Sequence, residues 1–111
     1  MKSTLKEKEN KKEYIYFIRI GEPADRLFKI GTTNNIKRRM KEHERTYQKN
    51  VEVLGTIAVT SKYTTLRVEE NMISEWKNNE GWEYKRNDRF IIPEDVKSVT
   101  IKVRKEYIIN I

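Results

Sequence analysis

The 111-residue sequence contains no cysteine and a single histidine. Without cysteine, a disulfide-stabilised scaffold, a thiolate zinc site and a cysteine nucleophile are all excluded. One histidine, His43, cannot form a multi-histidine metal cage within one chain. No apolar run approaches the roughly 18 residues of a membrane-spanning helix, and the N-terminus has no apolar segment of the kind found in secretion signals. We therefore expect a soluble, intracellular protein that has no membrane partner.

Acidic residues are also too few to balance the basic ones, and the net charge is +7. The excess lies in two segments, residues 2–12 and residues 29–49, whereas the rest of the chain is close to neutral. A localised basic patch in a protein of high pI is typical of a polyanion-binding protein. The alternative is a basic surface that only maintains solubility or serves a general protein interaction.

The length is that of one small domain, and its segments predict a single α+β unit. Residues 1–12 lack hydrophobic periodicity and are predicted to be a disordered basic arm, which leaves 13–111 as the domain. Aromatic and β-branched residues over 13–20 and 27–30 predict two strands of a β-hairpin. A third strand is expected over 51–60.

Two helices are expected between and after these strands. The first runs from about 35 to 48, with Thr33 or Asn34 as its cap, and the second runs from about 61 to 77. Short extended pieces should follow, and then a short helix that opens at Pro93. The C-terminal tail is compatible with either a strand or a helix.

Two charged side chains lie beside the apolar stripe of the first helix. Ile36 and Met40 define that stripe, while Arg39 and His43 lie about 60° and about 20° from Ile36 on the same side. An arginine at this rim either extends into solvent or binds an anion. Four other cations of the helix face solvent: Lys37, Arg38, Lys41 and Arg45.

In the second helix, a carboxylate falls on the apolar face. Four residues define this face: Leu66, Met72, Ile73 and Trp76. Glu69 projects near its middle. Such a carboxylate costs several kcal/mol unless it is paired or binds a metal, so both a salt bridge to an arginine and a metal site are open. In the first strand, alternation places Tyr14 and Tyr16 on one face, where a phenol beside these groups could transfer a proton.

Two tripeptides of the predicted hairpin resemble the signature of the GIY-YIG nuclease superfamily. Tyr14-Ile15-Tyr16 stands where the family has Gly-Ile-Tyr, and Lys29-Ile30-Gly31 stands where it has Tyr-Ile-Gly. The lysine is similar to that of short viral and phage-type members. It replaces a tyrosine that many members use in catalysis.

Further residues extend the resemblance over about residues 13–92. Arg39 falls at the position of the family's catalytic arginine, and His43 matches a histidine that many members carry. The segment 68–73 resembles the helix with the metal-binding glutamate and selects Glu69 over Glu70. The family's later asparagine has three possible matches: Asn78, Asn79 and Asn87.

The resemblance implies a small antiparallel three-stranded sheet that begins with a β-hairpin and is flanked by helices. It also implies an endonuclease that hydrolyses DNA phosphodiester bonds with one divalent ion, Mg²⁺ or Mn²⁺, held by Glu69. Arg39 would bind the phosphate oxygens, and Tyr16 would accept a proton from the attacking water with help from His43. Lys29 would lower the pKa of Tyr16 or hydrogen-bond the nucleophile.

The same resemblance implies a nucleic-acid partner. We expect DNA as the substrate, although the sequence does not discriminate DNA from RNA. The exposed cations Lys37, Arg38, Lys41 and Arg45 would bind the phosphate backbone, which predicts binding that falls steeply with salt. A two-metal site is not expected, because no second carboxylate shares the face of Glu69. The expected state is a monomer or a weak homodimer. The alternative function, suggested by Lys29, is a catalytically weakened nucleic-acid-binding module.

Overall fold

The computed structural model describes residues 12–111, so the arm predicted over 1–12 lies, except for Lys12, outside the described residues. Seven strands and two α-helices follow one another along this part of the chain. They are β1 (Glu13–Ile20), β2 (Leu27–Thr33), α1 (Ile36–Tyr47), β3 (Val51–Val59), α2 (Lys62–Lys77), β4 (Glu83–Lys85), β5 (Arg89–Ile91), β6 (Ser98–Lys102) and β7 (Glu106–Asn110).

The main sheet is antiparallel and has five strands in the order β3-β1-β2-β5-β4, and β6 and β7 form a separate hairpin. The α+β class is confirmed, but the sheet is larger than the expected three strands. The additional strands form because Phe90 of β5 is buried, pairs with Phe28 of β2, and packs edge-on against Trp76 and Trp82. Joining the sheet is how this short hairpin removes its aromatic residue from water.

The two helices cover opposite faces of the sheet, as the alternation of β1 predicts. Tyr16 and Ile18 belong to a buried cluster against which Ile36 and Met40 of α1 pack. The other face carries a larger apolar cluster that joins the sheet to α2 and to the β6–β7 hairpin. The buried members of that cluster are Ile15, Phe17, Phe28, Ile30, Ile57, Val68, Met72, Trp76, Phe90, Ile92, Val99, Ile101 and Ile109.

The ends of both helices agree closely with the sequence, with one correction at a cap. Ser61 caps α2 by accepting a hydrogen bond from the backbone N–H of Thr64. The cap of α1 is Asn35, whose side chain accepts from the N–H of Arg38, and not Thr33 or Asn34. No helix within residues 12–111 is long and apolar enough to cross a membrane.

The helix expected at Pro93 is absent, and the segment forms a turn instead. The guanidinium of Arg26 donates hydrogen bonds to the carbonyl groups of Ile92, Pro93 and Val96 at 2.7–3.0 Å. The Pro93 carbonyl also accepts from the N–H of Val96 at 3.1 Å, which closes a single turn, and the contacts with Arg26 hold that turn against the sheet. The ambiguous tail after this turn forms the strands β6 and β7.

The edge of β2 is only partly covered by its neighbour β5. Strand β1 pairs with β2 as far as Thr33, whereas β5 pairs only with Leu27, Phe28 and Lys29. Residues 31–33 therefore have a strand on one side only. This gap allows groups from α2, on one face of the sheet, to approach groups from α1 on the other face.

Candidate active site

The two signature tripeptides meet across the β1–β2 pair, where Tyr16 lies opposite Gly31. The tyrosine ring lies directly over the glycine: a Cβ atom added at position 31 would be 2.3 Å from both Cζ and the hydroxyl oxygen of Tyr16. No side chain larger than hydrogen fits there unless the ring moves. The glycine thus determines where the Tyr16 hydroxyl lies.

The Tyr16 hydroxyl is hydrogen-bonded to Nε2 of His43 at 2.6 Å, and both residues are buried. Burial raises the pKa of Tyr16 to about 12, and the nearby Arg39 guanidinium only partly opposes this rise. Burial also lowers the pKa of His43 to about 4, and the charges of Arg39 and Lys29 act in the same direction. At neutral pH the pair is therefore a neutral phenol and a neutral imidazole.

Tyr47 forms the other wall of the His43 site and was not expected from the sequence. Its ring stacks on the imidazole with centroids 5.7 Å apart, and the guanidinium of Arg89 lies 5.0 Å from the centre of the Tyr47 ring. The spacing of four residues between His43 and Tyr47 places both on one side of α1, and this signal was available in the sequence.

Arg39 is half-buried and has neighbours on two sides. Its guanidinium lies near the Tyr16 hydroxyl and forms an ion pair with Glu42 at 2.9 Å. The hydrogen bond with Glu42 is the main cause that raises the pKa of Arg39. Arg39 also lines an open cavity of about 340 Å³, in which Arg38 and Lys62 are further cations.

Lys29 is buried on the same face of the sheet as Tyr16, since its neighbours Phe28 and Ile30 point into the opposite core. Its ammonium group donates a hydrogen bond to the carbonyl of Asn87 in the β4–β5 turn. Burial lowers the pKa of Lys29, and the carboxylates of Asp88 and Glu69 oppose this effect. The cation that acts on the Tyr16 phenol is Arg39, while Lys29 acts on His43 and Glu69.

Glu69 lies at the margin of the buried face of α2, and not at its middle as expected. The error came from Leu66, which is 40% exposed, while Thr65 is fully buried. The Thr65 hydroxyl donates to the carbonyl of Lys62 at 2.6 Å, which satisfies this polar group inside the core. Glu69 is therefore half-buried, beside Ile73.

No salt bridge to Glu69 exists within residues 12–111, so the expected structural ion pair with an arginine is not found there. Burial is the main cause that raises the pKa of Glu69 to about 7, and the charge of Asp88 contributes to this rise. Lys29 and Arg39 oppose it from a distance. The carboxylate is thus close to several charges but paired with none of them.

Asp88 provides the second carboxylate that the sequence did not indicate near Glu69. Both residues line a cavity of about 470 Å³. Asp88 lies in the β4–β5 turn with a left-handed φ of 58°, and it accepts a hydrogen bond from the Tyr84 hydroxyl at 3.1 Å. No second carboxylate was expected on the face of α2 that carries Glu69; Asp88 enters the cavity from another segment, and Glu70 lines it from the adjacent position of α2. In the part of the chain that the structure describes, no group of three or more His, Cys, Asp or Glu residues could hold a metal.

The structure brings Tyr16, Arg39 and His43 together, with Lys29 and Glu69 within electrostatic range of them. The catalytic roles assigned to these five residues stay predictions. The four cations expected to bind nucleic acid are all exposed: Lys37, Arg38, Lys41 and Arg45. Of these, only Arg38 lines the cavity beside Arg39. Of the three candidates for the later asparagine, Asn78 lines the cavity of Glu69, while Asn87 contacts Lys29 through its backbone carbonyl, so the match stays open.

A family model described as the T5orf172 domain matches residues 13–108. Neither a curated protein nor a solved structure matches the chain.

Proposed function

The chain belongs to the T5orf172 domain family, a GIY-YIG-like, nuclease-related family, and on this premise we propose that it is a divalent-metal-dependent endonuclease that hydrolyses DNA phosphodiester bonds. The observation that carries this proposal is the buried hydrogen bond between Tyr16 and His43 beside the Arg39 guanidinium. A buried phenol needs one hydrogen-bond partner, which His43 supplies. The Arg39 guanidinium beside the same hydroxyl adds a phosphate-binding group, and the three side chains together suit proton transfer at a phosphate.

Tyr16 and His43 would form the path for the proton of the attacking water. The pKa of His43, about 4, leaves its imidazole neutral at pH 7, with a ring nitrogen free to accept. The negative charge of a bound phosphate would offset the Arg39 and Lys29 charges that disfavour its protonated form. The pKa of Tyr16, about 12, means that a free phenolate is not populated at that pH. The proton therefore passes from water to Tyr16 as Tyr16 passes its own to Nε2 of His43. The water oxygen forms the new bond to phosphorus, and the bond to the leaving oxygen breaks.

Arg39 would stabilise the negative charge that develops on the non-bridging phosphate oxygens. A guanidinium suits this role because it stays charged and its planar fork matches two phosphate oxygens. Because Arg39 is half-buried and lines an open cavity, a phosphodiester can reach its guanidinium beside the Tyr16 hydroxyl. Phosphate would then replace Glu42 as its ionic partner.

Glu69 and Asp88 are the residues that would hold the divalent cation, Mg²⁺ or Mn²⁺. Three carboxylates line one cavity, of which Glu70 is exposed. Glu69 has a raised pKa of about 7 and no ion-pair partner within residues 12–111, so a bound cation would relieve an unfavourable charge. Oxygen ligands of this kind suit hard cations. When bound, such a cation would supply Lewis acidity to the phosphate and the leaving oxygen.

Lys29 would act through its neighbours. Its charge favours the neutral form of His43 and opposes the repulsion between Glu69 and Asp88. Its hydrogen bond to the Asn87 carbonyl holds the β4–β5 turn, and therefore Asp88, against β2. In this role the lysine need not replace the chemistry of the tyrosine at this position of the family signature.

A second function, a nucleic-acid-binding module with weakened catalysis, is favoured by that same anchoring of Lys29. An ammonium group that is buried and bonded to a carbonyl is less free to contact a nucleophile than the phenol it replaces. Binding would then rest on the exposed cations of α1.

Nicking of a supercoiled plasmid with Mg²⁺, Mn²⁺ or EDTA tests the proposal. We expect nicking with either metal and none in EDTA, and we expect Arg39→Ala and Glu69→Ala to abolish it. Tyr14→Phe is the matched control, since Tyr14 occupies the same strand two residues from Tyr16. Retained nicking by either alanine variant would refute the assigned roles. Salt-sensitive DNA binding without any cleavage would support the binding module instead.

A further inference from the structure

The cavity beside Arg39 is separate from the one that Glu69 and Asp88 line, and the chemistry above uses only its rim. It has a volume of about 340 Å³ and is built from β1, the end of β2, helix α1 and the first turn of α2. Its lining residues are Glu13, Thr32, Thr33, Asn34, Arg38, Arg39, Glu42 and Lys62. Three cations, two carboxylates, two hydroxyl groups and an amide from separate segments thus surround a space open to solvent.

Lys62 is the cation of this cavity that has no ionic partner within residues 12–111. Glu42 pairs with Arg39 at 2.9 Å and approaches Arg38 at 3.8 Å, so both guanidinium groups are balanced by a carboxylate. Neither Glu42 nor Glu13 lies within ion-pairing distance of Lys62. An anion entering the cavity would therefore meet one free ammonium group and two partly balanced guanidinium groups.

Lys62 also lies on the same side of α2 as Glu69. Seven residues correspond to almost two helical turns, so the two side chains differ by about 20° around the helix and about 10 Å along it. In B-form DNA one strand advances about 3.4 Å per nucleotide. A strand whose scissile phosphate lies near Glu69 and Arg39 would thus present another phosphate to Lys62 within about three nucleotides.

We propose that this cavity binds a second, non-scissile phosphate of the substrate strand, and that Lys62 is its principal ligand. The description of that phosphate as non-scissile rests on the proposed function, but its binding does not. The cavity requires a DNA strand that continues past the scissile phosphate towards the start of α2. The substrate class is therefore an internal segment of a DNA strand, and not a terminal nucleotide on that side.

The position of Lys62 makes this proposal separable from an effect on folding. It is exposed and is the first residue of α2, whose first turn contains no acidic residue. A cation at the positive end of a helix dipole is unfavourable for the fold. Lys62→Gln should therefore leave thermal stability unchanged or raise it, and a loss of DNA binding in this variant would not come from unfolding.

The first experiment measures binding of a fluorescein-labelled 20-bp DNA duplex by anisotropy in EDTA, over a series of salt concentrations. We expect Lys62→Gln to weaken binding by about 3–10-fold and to reduce the slope of log K against log salt by about one. Lys62→Arg should retain the affinity. The control is Lys102→Gln, which makes the same change in net charge.

Lys102 is a suitable control because it pairs with Glu75, about 140° around α2 from Lys62. We expect this variant to change the affinity by less than twofold, with no change of slope. An equal loss in Lys62→Gln and Lys102→Gln would overturn the proposal, because it would show an effect of total charge alone.

The second experiment replaces single phosphates of the strand with neutral methylphosphonates. Replacing the phosphate that contacts Lys62 should weaken DNA binding by the wild-type protein. The same replacement should not weaken binding by Lys62→Gln further, because that variant already lacks the charged contact. Equal penalties in both proteins at every position would overturn the proposal. Because binding is measured in EDTA, a protein that never nicks DNA but shows this pattern would refute the endonuclease and support the phosphate site. Normal nicking without this pattern would support the endonuclease and refute the phosphate site.

Discussion

The Tyr16 hydroxyl and Nε2 of His43 lie 2.6 Å apart, although 27 residues separate them in the chain. Two local features produce this contact. Gly31 lets the tyrosine ring lie flat across β2, and helix α1 turns His43 towards the sheet. The contact joins the strand pair that carries both signature tripeptides to the helix that carries Arg39, so its loss should affect proton transfer and phosphate binding differently.

Removing the Tyr16 hydroxyl should impair catalysis much more than binding. Tyr16→Phe keeps the ring over Gly31 but removes the proton path, and we expect plasmid nicking to fall by about 10²–10³-fold. DNA affinity in EDTA should change by less than threefold. Because Tyr16 and His43 act as one unit, adding His43→Ala to this variant should cause little further loss. An additive loss, or a similar loss in Tyr14→Phe, would contradict the assigned pair.

Adding one methyl group at position 31 should displace the same hydroxyl. The new Cβ of Gly31→Ala would meet the Tyr16 ring at 2.3 Å, so the ring must move away from His43. The single histidine makes this measurable, because its imidazole gives an unambiguous NMR titration. We expect a His43 pKa of about 4 in the wild type and a higher pKa in the variant, because the displaced ring leaves the imidazole less buried while the charges of Arg39 and Lys29 remain. Nicking should fall at least ~100-fold.

The matched control for that substitution is Gly55→Ala. Its Cβ would meet the flexible end of the Ile109 side chain at 2.7 Å, in the core beneath β3. Some loss of stability is expected there, but the His43 titration should stay as in the wild type. If both variants shifted the titration equally, the effect would be a general loosening of the fold.

Neutralising Glu69 should stabilise the metal-free protein in a pH-dependent way. The folded pKa of Glu69, about 7, lies above its ordinary value of 4.5, so ionisation opposes folding. Below pH 4.5 the carboxyl is protonated in both states, and wild type and Glu69→Gln should have the same Tm. As the pH rises from 4.5 to 7 the wild type loses stability relative to the variant, and above pH 7 the difference is constant.

Thermal unfolding in EDTA at pH 4, 6 and 8 measures this difference. Glu70→Gln, an exposed change at the next position of α2, is the control and should leave Tm within about one degree of wild type at each pH. A Tm difference between wild type and Glu69→Gln that did not grow with pH would show that Glu69 is not held in an unfavourable charged state.

Releasing Arg39 from its intrahelical partner should strengthen DNA binding. Glu42 pairs with Arg39 and therefore competes with a DNA phosphate for its guanidinium, so Glu42→Gln removes a competitor. We expect DNA affinity in EDTA to rise about 3–10-fold at low salt, with the gain lost in the Arg39→Gln background. The control is Glu44→Gln, which makes the same change in net charge on the same helix. Glu44 accepts a hydrogen bond from the backbone N–H of Val51 and has no ion-pair partner within residues 12–111. Equal gains in both variants would show a charge effect without competition.

The sequence by itself determined the local elements and the side chains that each of them offers. Alternation in β1 placed Tyr16 on one face, helical spacing placed Arg39 next to His43, and Ser61 capped α2, which begins at Lys62. Such features depend on neighbours within a few residues, so they are encoded in short-range patterns.

Only the tertiary structure decided which of these faces meet. Burial of Phe90 extended the sheet to five strands and brought the β4–β5 turn, with Asp88, into the cavity of Glu69. Packing also buried Thr65 in place of Leu66, which moved Glu69 to the margin of the core. These outcomes depend on contacts between segments far apart in the chain, where the most favourable burial of apolar surface overrides the periodicity of any single element.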